Sequence, residues 1–141
     1  DGHHSRLATD LGVDDSVTFH GHVPHDRLAD VVRGAALHVL TSHHDAGPLA
    51  VLETAACGVP TVGTSVGHVA DLSGLPVPAA VAVPDRDPQT LADAIVRLLR
   101  DRTRREALAA AAHHWAVQHD AGFTADAFEV LYRRVSAATT T

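Results

Sequence analysis

Asp45 and Glu53 stand eight positions apart, with Gly47-Pro48 between them. Gly47-Pro48 has the form of a helix opening, because proline suits a first helical position whose N–H has no partner anyway. Backbone N–H groups and the helix dipole favour an anion at such a tip. Two carboxylates, Asp45 and Glu53, frame that spot. The plainer alternative is an ordinary helix, with Asp45 compensating the dipole and Glu53 solvated. Twelve histidines are scattered along the chain. His20, His22 and His25 could converge at a strand end, with His43, His44 and Asp45 approaching them; the scatter elsewhere suggests compositional bias, and no metal site is expected.

The elements around this stretch read as strand, loop, helix and stop. Leu37–Leu40 is an apolar run of strand length that ends at polar residues. Gly58 can take the left-handed cap and Pro60 prevents continuation of the helix. The helix tip therefore points out of the carboxyl end of a strand, where open α/β sheets bind ligands. At about 100° per residue, Leu49, Leu52 and Ala56 share one face, expected to be buried. Glu53 lies about 40° from Leu49, at the edge of that stripe, where an acid is costly to bury without a hydrogen-bond partner.

Along the rest of the chain, Ser5–Leu11 reads as a short helix stopped by Gly12. Val17–His20 reads as a strand, followed by the loop Gly21-His22-Val23-Pro24. A helix capped by His25 or Asp26 runs to about Gly34, with Leu28, Val31 and Val32 inward. Thr61–Thr64 and Ala80–Val83 are further strands, the last stopped at Pro84-Asp85, and a helical turn is expected at His68–Leu72. From Asp87-Pro88 the spacing of Leu91, Ala94, Ile95, Leu98 and Leu99 is helical. Arg102–His119 continues with Leu108, Ala112 and Trp115. Gly122 is the expected break, and Phe123–Val135 a final helix using Phe128, Leu131 and Tyr132. Thr139–Thr141 is expected to fray. Strands alternating with helices predict a parallel sheet covered by helices.

The 141 residues suffice for one domain with a core. A formal net charge of −6 gives no electrostatic case for nucleic acid or an anionic membrane. No apolar run reaches the length of a membrane span, which leaves only peripheral membrane association open to the full-length protein. No signal peptide is visible, and a cytoplasmic location is expected. One cysteine excludes an internal disulfide; Cys57, among small residues, is expected to be a buried thiol. The absence of methionine suggests a fragment or a processed product.

An acid, seven residues, a glutamate, then small residues and Cys57-Gly58-Val59-Pro60-Thr61-Val62 resembles the donor-site signature of retaining glycosyltransferases of the glycogen-synthase-like, family-4 type (glycosyl transferases group 1). The resemblance covers nearly the whole chain. It implies the GT-B fold, two Rossmann-like domains facing across a cleft, of which this is the incomplete C-terminal, nucleotide-sugar-binding half. The expected organisation is one N-terminally truncated domain, 1–141, with a strand/helix core carrying the motif over 1–86 and C-terminal helices over 87–141. Asp1-Gly2 resembles the end of the family's Gly-Asp-Gly loop. Two strands, a basic phosphate-binding loop and the N-terminal acceptor-binding domain would lie upstream. If strand order follows the family, the two missing strands are central and leave a gap.

The resemblance also implies roles. The Glu53 position hydrogen-bonds the ribose of a nucleotide diphosphate sugar. The Asp45 position contacts the donor sugar near the reacting centre, which makes it the catalytic candidate. The backbone of Ala46, Gly47, Pro48 and Leu49 lies by sugar and pyrophosphate, where N–H groups stabilise the leaving group without a required metal or cofactor. The loop of Gly21, His22 and Val23 meets the base. Ser65-Val66-Gly67-His68 matches a loop in which small residues leave room for the sugar phosphates. Two departures stand out: Asp45 replaces the usual glutamate, and Ala46-Gly47-Pro48 replaces the common Gly-Phe-Gly. The isolated chain is expected to lack transferase activity. Competing readings are a non-catalytic nucleotide- or sugar-binding module, a His-rich metal-dependent hydrolase, and a sugar-nucleotide epimerase, which lacks this spacing of acids.

Overall fold

A computed structural model describes residues 2–84 and 87–139. In order come α1 (Gly2–Asp10), a 3-10 turn (Asp14–Ser16), α2 (His25–Arg33), β1 (His38–Leu40), α3 (Leu49–Ala56), β2 (Thr61–Thr64), α4 (Gly67–Ser73), β3 (Ala80–Val83), α5 (Pro88–Arg100), α6 (Arg102–Gln118) and α7 (Ala121–Thr139). The three strands form a parallel sheet in the order β1-β2-β3. Val39 pairs with Val62, and Val62 with Val81. All four residues of β2 are buried, as a central parallel strand covered on both faces requires. One apolar cluster joins Val51 and Ala55 of α3 to Val69 and Leu72 of α4 and Ala112 of α6. A second joins Val62 and Val83 of the sheet to Ala94 and Leu98 of α5 and Leu108 of α6. Asp87 caps α5 by accepting from the Thr90 amide at 2.8 Å, with Pro88 in the first turn.

Beneath α3 runs a chain of polar contacts whose protons can be assigned by counting. The Thr54 hydroxyl donates to the Val51 carbonyl at 3.0 Å. Its oxygen lies 3.2 Å from Thr61 Oγ1, so the Thr61 proton goes to Thr54. His38 Nδ1, 3.1 Å from Thr61 Oγ1, must then be the donor. Burial holds the His38 pKa below the ordinary imidazole value. In the window between that lowered value and the ordinary 6.5, the unfolded chain binds more protons than the folded one, so stability rises with pH. Thermal unfolding followed against pH is therefore expected to show stability being lost as pH falls through the ordinary histidine range. His38→Gln should remove that contribution; an unchanged slope would remove His38 as its source.

Several local expectations are corrected. Val17–His20 is extended but joins no sheet, and Val17 and Phe19 are 41% and 51% exposed. A strand exists through its ladder, and among the described residues no strand lies beside this segment. The expected gap between the strands is not found among the described residues: β1, β2 and β3 pair directly with one another in a continuous sheet. Neither His25 nor Asp26 caps α2; Pro24 is its N-cap and supplies no side-chain bond. Val31 is exposed. On α3 the buried residues are Val51, Thr54 and Ala55, whereas Ala56 is exposed and Leu49 is 68% exposed. The sheet and α6 meet the Val51 side of the helix. Pro48 is the N-cap rather than the first helical residue, and Gly58 has the expected left-handed φ of 72°. Cys57 is half-buried. Gly122 lies inside α7; the chain turns at His119-Asp120. Asp120 there accepts from the Phe123 amide at 2.9 Å and so starts the new helix. Phe128, Leu131 and Tyr132 are exposed. The expected stop at Asp85 and the end of the terminal fray, Thr140-Thr141, fall outside the described residues.

Candidate functional site

The loop between β1 and α3 is fixed at both ends. At its start, the Thr64 hydroxyl at the end of β2 donates to the Ser42 carbonyl at 2.6 Å. At its end, Asp45 Oδ1 accepts from the Gly47 amide at 3.1 Å, a turn closed by the aspartate itself. Gly67, at the start of α4 with φ 42°, lies directly against this turn. A Cβ added there would come within 2.8 Å of the Asp45 carbonyl oxygen and 2.8 Å of Pro48 Cδ. The Gly67 position thus determines how closely the loop can pack on α4. Ala46, Gly47 and Leu49 are exposed, Asp45 is half-buried and Pro48 is buried. The tip of α3 therefore faces solvent, at the carboxyl end of β1.

This geometry limits which amides can meet an anion. Pro48 has no N–H, and the Gly47 N–H is taken by Asp45. The amides of Leu49 and Ala50 open the first turn of α3, where no intrahelical acceptor exists. They are the donors at the tip, and the turn at Asp45 uses only Oδ1 of its carboxylate.

Glu53 sits one turn further along α3, its side chain 35% exposed, with Oε1 at 3.6 Å from His25 Nδ1 at the start of α2. The loop of Gly21, His22 and Val23 runs directly into that helix. His22 and Val23 line a cavity of about 280 Å³ with His20, Pro24, Arg27 and Val31. Gly21 has φ 61°, a conformation that side-chain-bearing residues rarely adopt. Glu53 also lines a cavity of about 250 Å³ with Leu52, Ala56, Trp115, Ala116, His119 and Asp120. Asp45 and Glu53 are thus carried by one exposed helix start, and the Gly21–Val23 loop connects to Glu53 through His25. The far end of α3 is tied to α6 by His113, whose Nδ1 donates to the Ala56 carbonyl at 2.9 Å.

Two residues beside the loop were not singled out as ligand contacts by sequence reasoning. They are Gly67 and His68, whose Nε2 would lie 3.2 Å from a Cβ on Gly47. The available signal was a histidine in a loop expected to be made of small residues. Among the described residues no group of three or more His, Cys, Asp or Glu side chains could hold a metal ion, so the His20/His22/His25 and His43/His44/Asp45 groups do not converge. No helix among the described residues is long and apolar enough to cross a membrane.

A parallel sheet whose strand end opens onto a helix tip, with a packed turn between, is the ligand-binding layout of a Rossmann-like domain. Solved structures with this architecture are GT-B glycosyltransferases. Sucrose-phosphate synthase from Thermosynechococcus elongatus superposes with a TM-score of 0.81 at 29% identity, over 95% of this chain and 34% of that one. Anabaena HepE in complex with UDP has a TM-score of 0.80 at 21% identity, over 96% of this chain and 36% of that one. The family model for glycosyl transferases group 1 matches residues 3–115, and the chain belongs to that family. The D-inositol 3-phosphate glycosyltransferase of Frankia alni is 42% identical over 84% of this chain and 28% of its own length. That of Mycobacteroides abscessus is 38% identical over 93% of this chain and 29% of its own. The chain thus spans under a third of the curated relatives it matches.

Proposed function

We propose that this chain supplies the donor-binding half of a retaining glycosyltransferase that transfers a sugar from a nucleotide diphosphate to an acceptor. The observation that carries the reading is the solvent-facing tip of α3, with Asp45 folded over it and Glu53 one helix stretch away. In this reading the ribose hydroxyls lie on Glu53. The pyrophosphate meets the Leu49 and Ala50 amides at the helix N-terminus, and Asp45 Oδ2 faces the donor sugar. As the bond between anomeric carbon and phosphate oxygen breaks, charge grows on the departing diphosphate. Amides already aimed at that position stabilise it without reorganisation. Gly21, His22 and Val23 lie by the base, in the cavity at the start of α2. The acceptor belongs to parts of the protein that the relatives' greater length implies, and cytoplasmic nucleotide sugars would be the donors.

Calorimetric titration with UDP, GDP, their sugar-linked forms, and the monophosphates tests this. One diphosphate series should bind the isolated chain and its monophosphate should bind far more weakly, with no sugar transfer to any acceptor. Equal binding of mono- and diphosphate, or no binding in either series, would contradict the reading; turnover would contradict the expected inactivity of the isolated chain.

A further inference from the structure

We propose that His68 is a donor-contacting side chain whose Nε2–H donates a hydrogen bond to the pyrophosphate; this rests on the donor-site reading above. The chain has no lysine, and no arginine lies between Arg33 and Arg86. That span contains β1, the loop, α3, β2 and α4, and its acids are Asp45, Glu53, Asp71 and Asp85. A doubly charged pyrophosphate would thus meet carboxylates and no permanent cation from this span. His68 is the imidazole placed against the loop: a Cβ on Gly47 would meet its Nε2 first, at 3.2 Å, with Cδ2 and Cε1 at 3.8 Å. Its side chain is 27% exposed, and its Nδ1 is 3.6 Å from Asp71 Oδ2. That separation is longer than a hydrogen bond, so Nδ1 does not have to hold the ring's proton and Nε2–H can donate at the loop. Gly67, pressed on Asp45, Ala46 and Pro48, fixes the ring's point of attachment.

The other titratable groups around His68 are few. α3 brings Glu53, paired with His25. β2 and β3 bring none, and the loop brings His43, His44 and Asp45. A merely structural role, in which the ring props the loop, would not depend on the ligand's charge.

The test compares wild type, His68→Gln and His68→Leu, each first shown to unfold at the wild-type temperature. Probes are UDP-glucose and GDP-mannose, with uridine and guanosine as uncharged controls. For whichever nucleotide sugar binds, His68→Leu should weaken affinity about tenfold, the scale of one partly exposed charge-assisted hydrogen bond. Affinity for the nucleoside should not change. His68→Gln, which keeps a side-chain N–H, should retain part of the affinity. In wild type, the His68 ring nitrogen resonances should shift on adding the nucleotide sugar and not the nucleoside. If wild type binds the nucleotide sugar and His68→Leu binds it equally, the His68 assignment is overturned alone. If nucleoside affinity falls in parallel, His68 is a prop. If wild type binds neither nucleotide sugar, the donor-site reading falls and takes this with it.

Discussion

Gly67→Ala is expected to unseat the loop that carries Asp45 and to weaken nucleotide-diphosphate binding by more than about thirtyfold, or roughly 2 kcal/mol. The new Cβ would lie 2.8 Å from the Asp45 carbonyl oxygen, 2.8 Å from Pro48 Cδ and 3.0 Å from the Ala46 carbonyl carbon. Two of these atoms are backbone and the third belongs to a proline ring, so no flexible side chain can swing aside. The φ of 42° adds strain for any residue with a side chain. Together these should cost about 1–3 kcal/mol of stability, the range for overpacking. Gly74→Ala, at the other end of α4, is the control. Its Cβ would meet nothing closer than 3.5 Å, and both stability and binding should stay near wild type. Denaturant unfolding and calorimetry on the two variants check the contrast; wild-type affinity in Gly67→Ala would mean that the loop does not hold the ligand.

Glu53→Ala should separate binding from stability. The contact with His25 is long, and the histidine side chain is 88% exposed, so its loss should change stability by no more than about 0.5 kcal/mol. If the carboxylate accepts both ribose hydroxyls, its removal should lower nucleotide affinity about 30- to 100-fold, equivalent to two hydrogen bonds with one charged partner. His25→Ala, which removes only the histidine, should leave affinity within about threefold. Equal losses in the two variants would shift the role from Glu53 to the pair.

What was legible in the sequence follows from how local each cause is. The start of α5 could be read because Asp87, Pro88 and Thr90 form a self-contained cap. The loop–helix–strand order from Ser42 to Thr64 could be read because Gly47-Pro48 and Gly58–Pro60 punctuate it. Helix periodicity did not identify the buried side of α3. Val51 and Ala55 are inward because α4 and α6 pack there, a tertiary fact invisible at Leu49. Val17–His20 has strand composition, yet a ladder needs a neighbour that the described residues do not provide. On α7 the apolar residues keep helical spacing but are exposed, so spacing announced the helix and not its packing. The role of Gly67 was hidden for a similar reason: its constraint comes from a loop about twenty residues earlier, brought against it only by the parallel crossover between β1 and β2.

The most direct test of the donor-site account is a crystal structure of the chain with its preferred nucleotide sugar. The account expects phosphate oxygens at the Leu49 and Ala50 amides, the ribose on Glu53, and the donor sugar beside Asp45. A nucleotide seated elsewhere, such as the cavity of about 480 Å³ lined by Ser73, Val81, Arg104 and Leu108, with the tip of α3 bare, would contradict it.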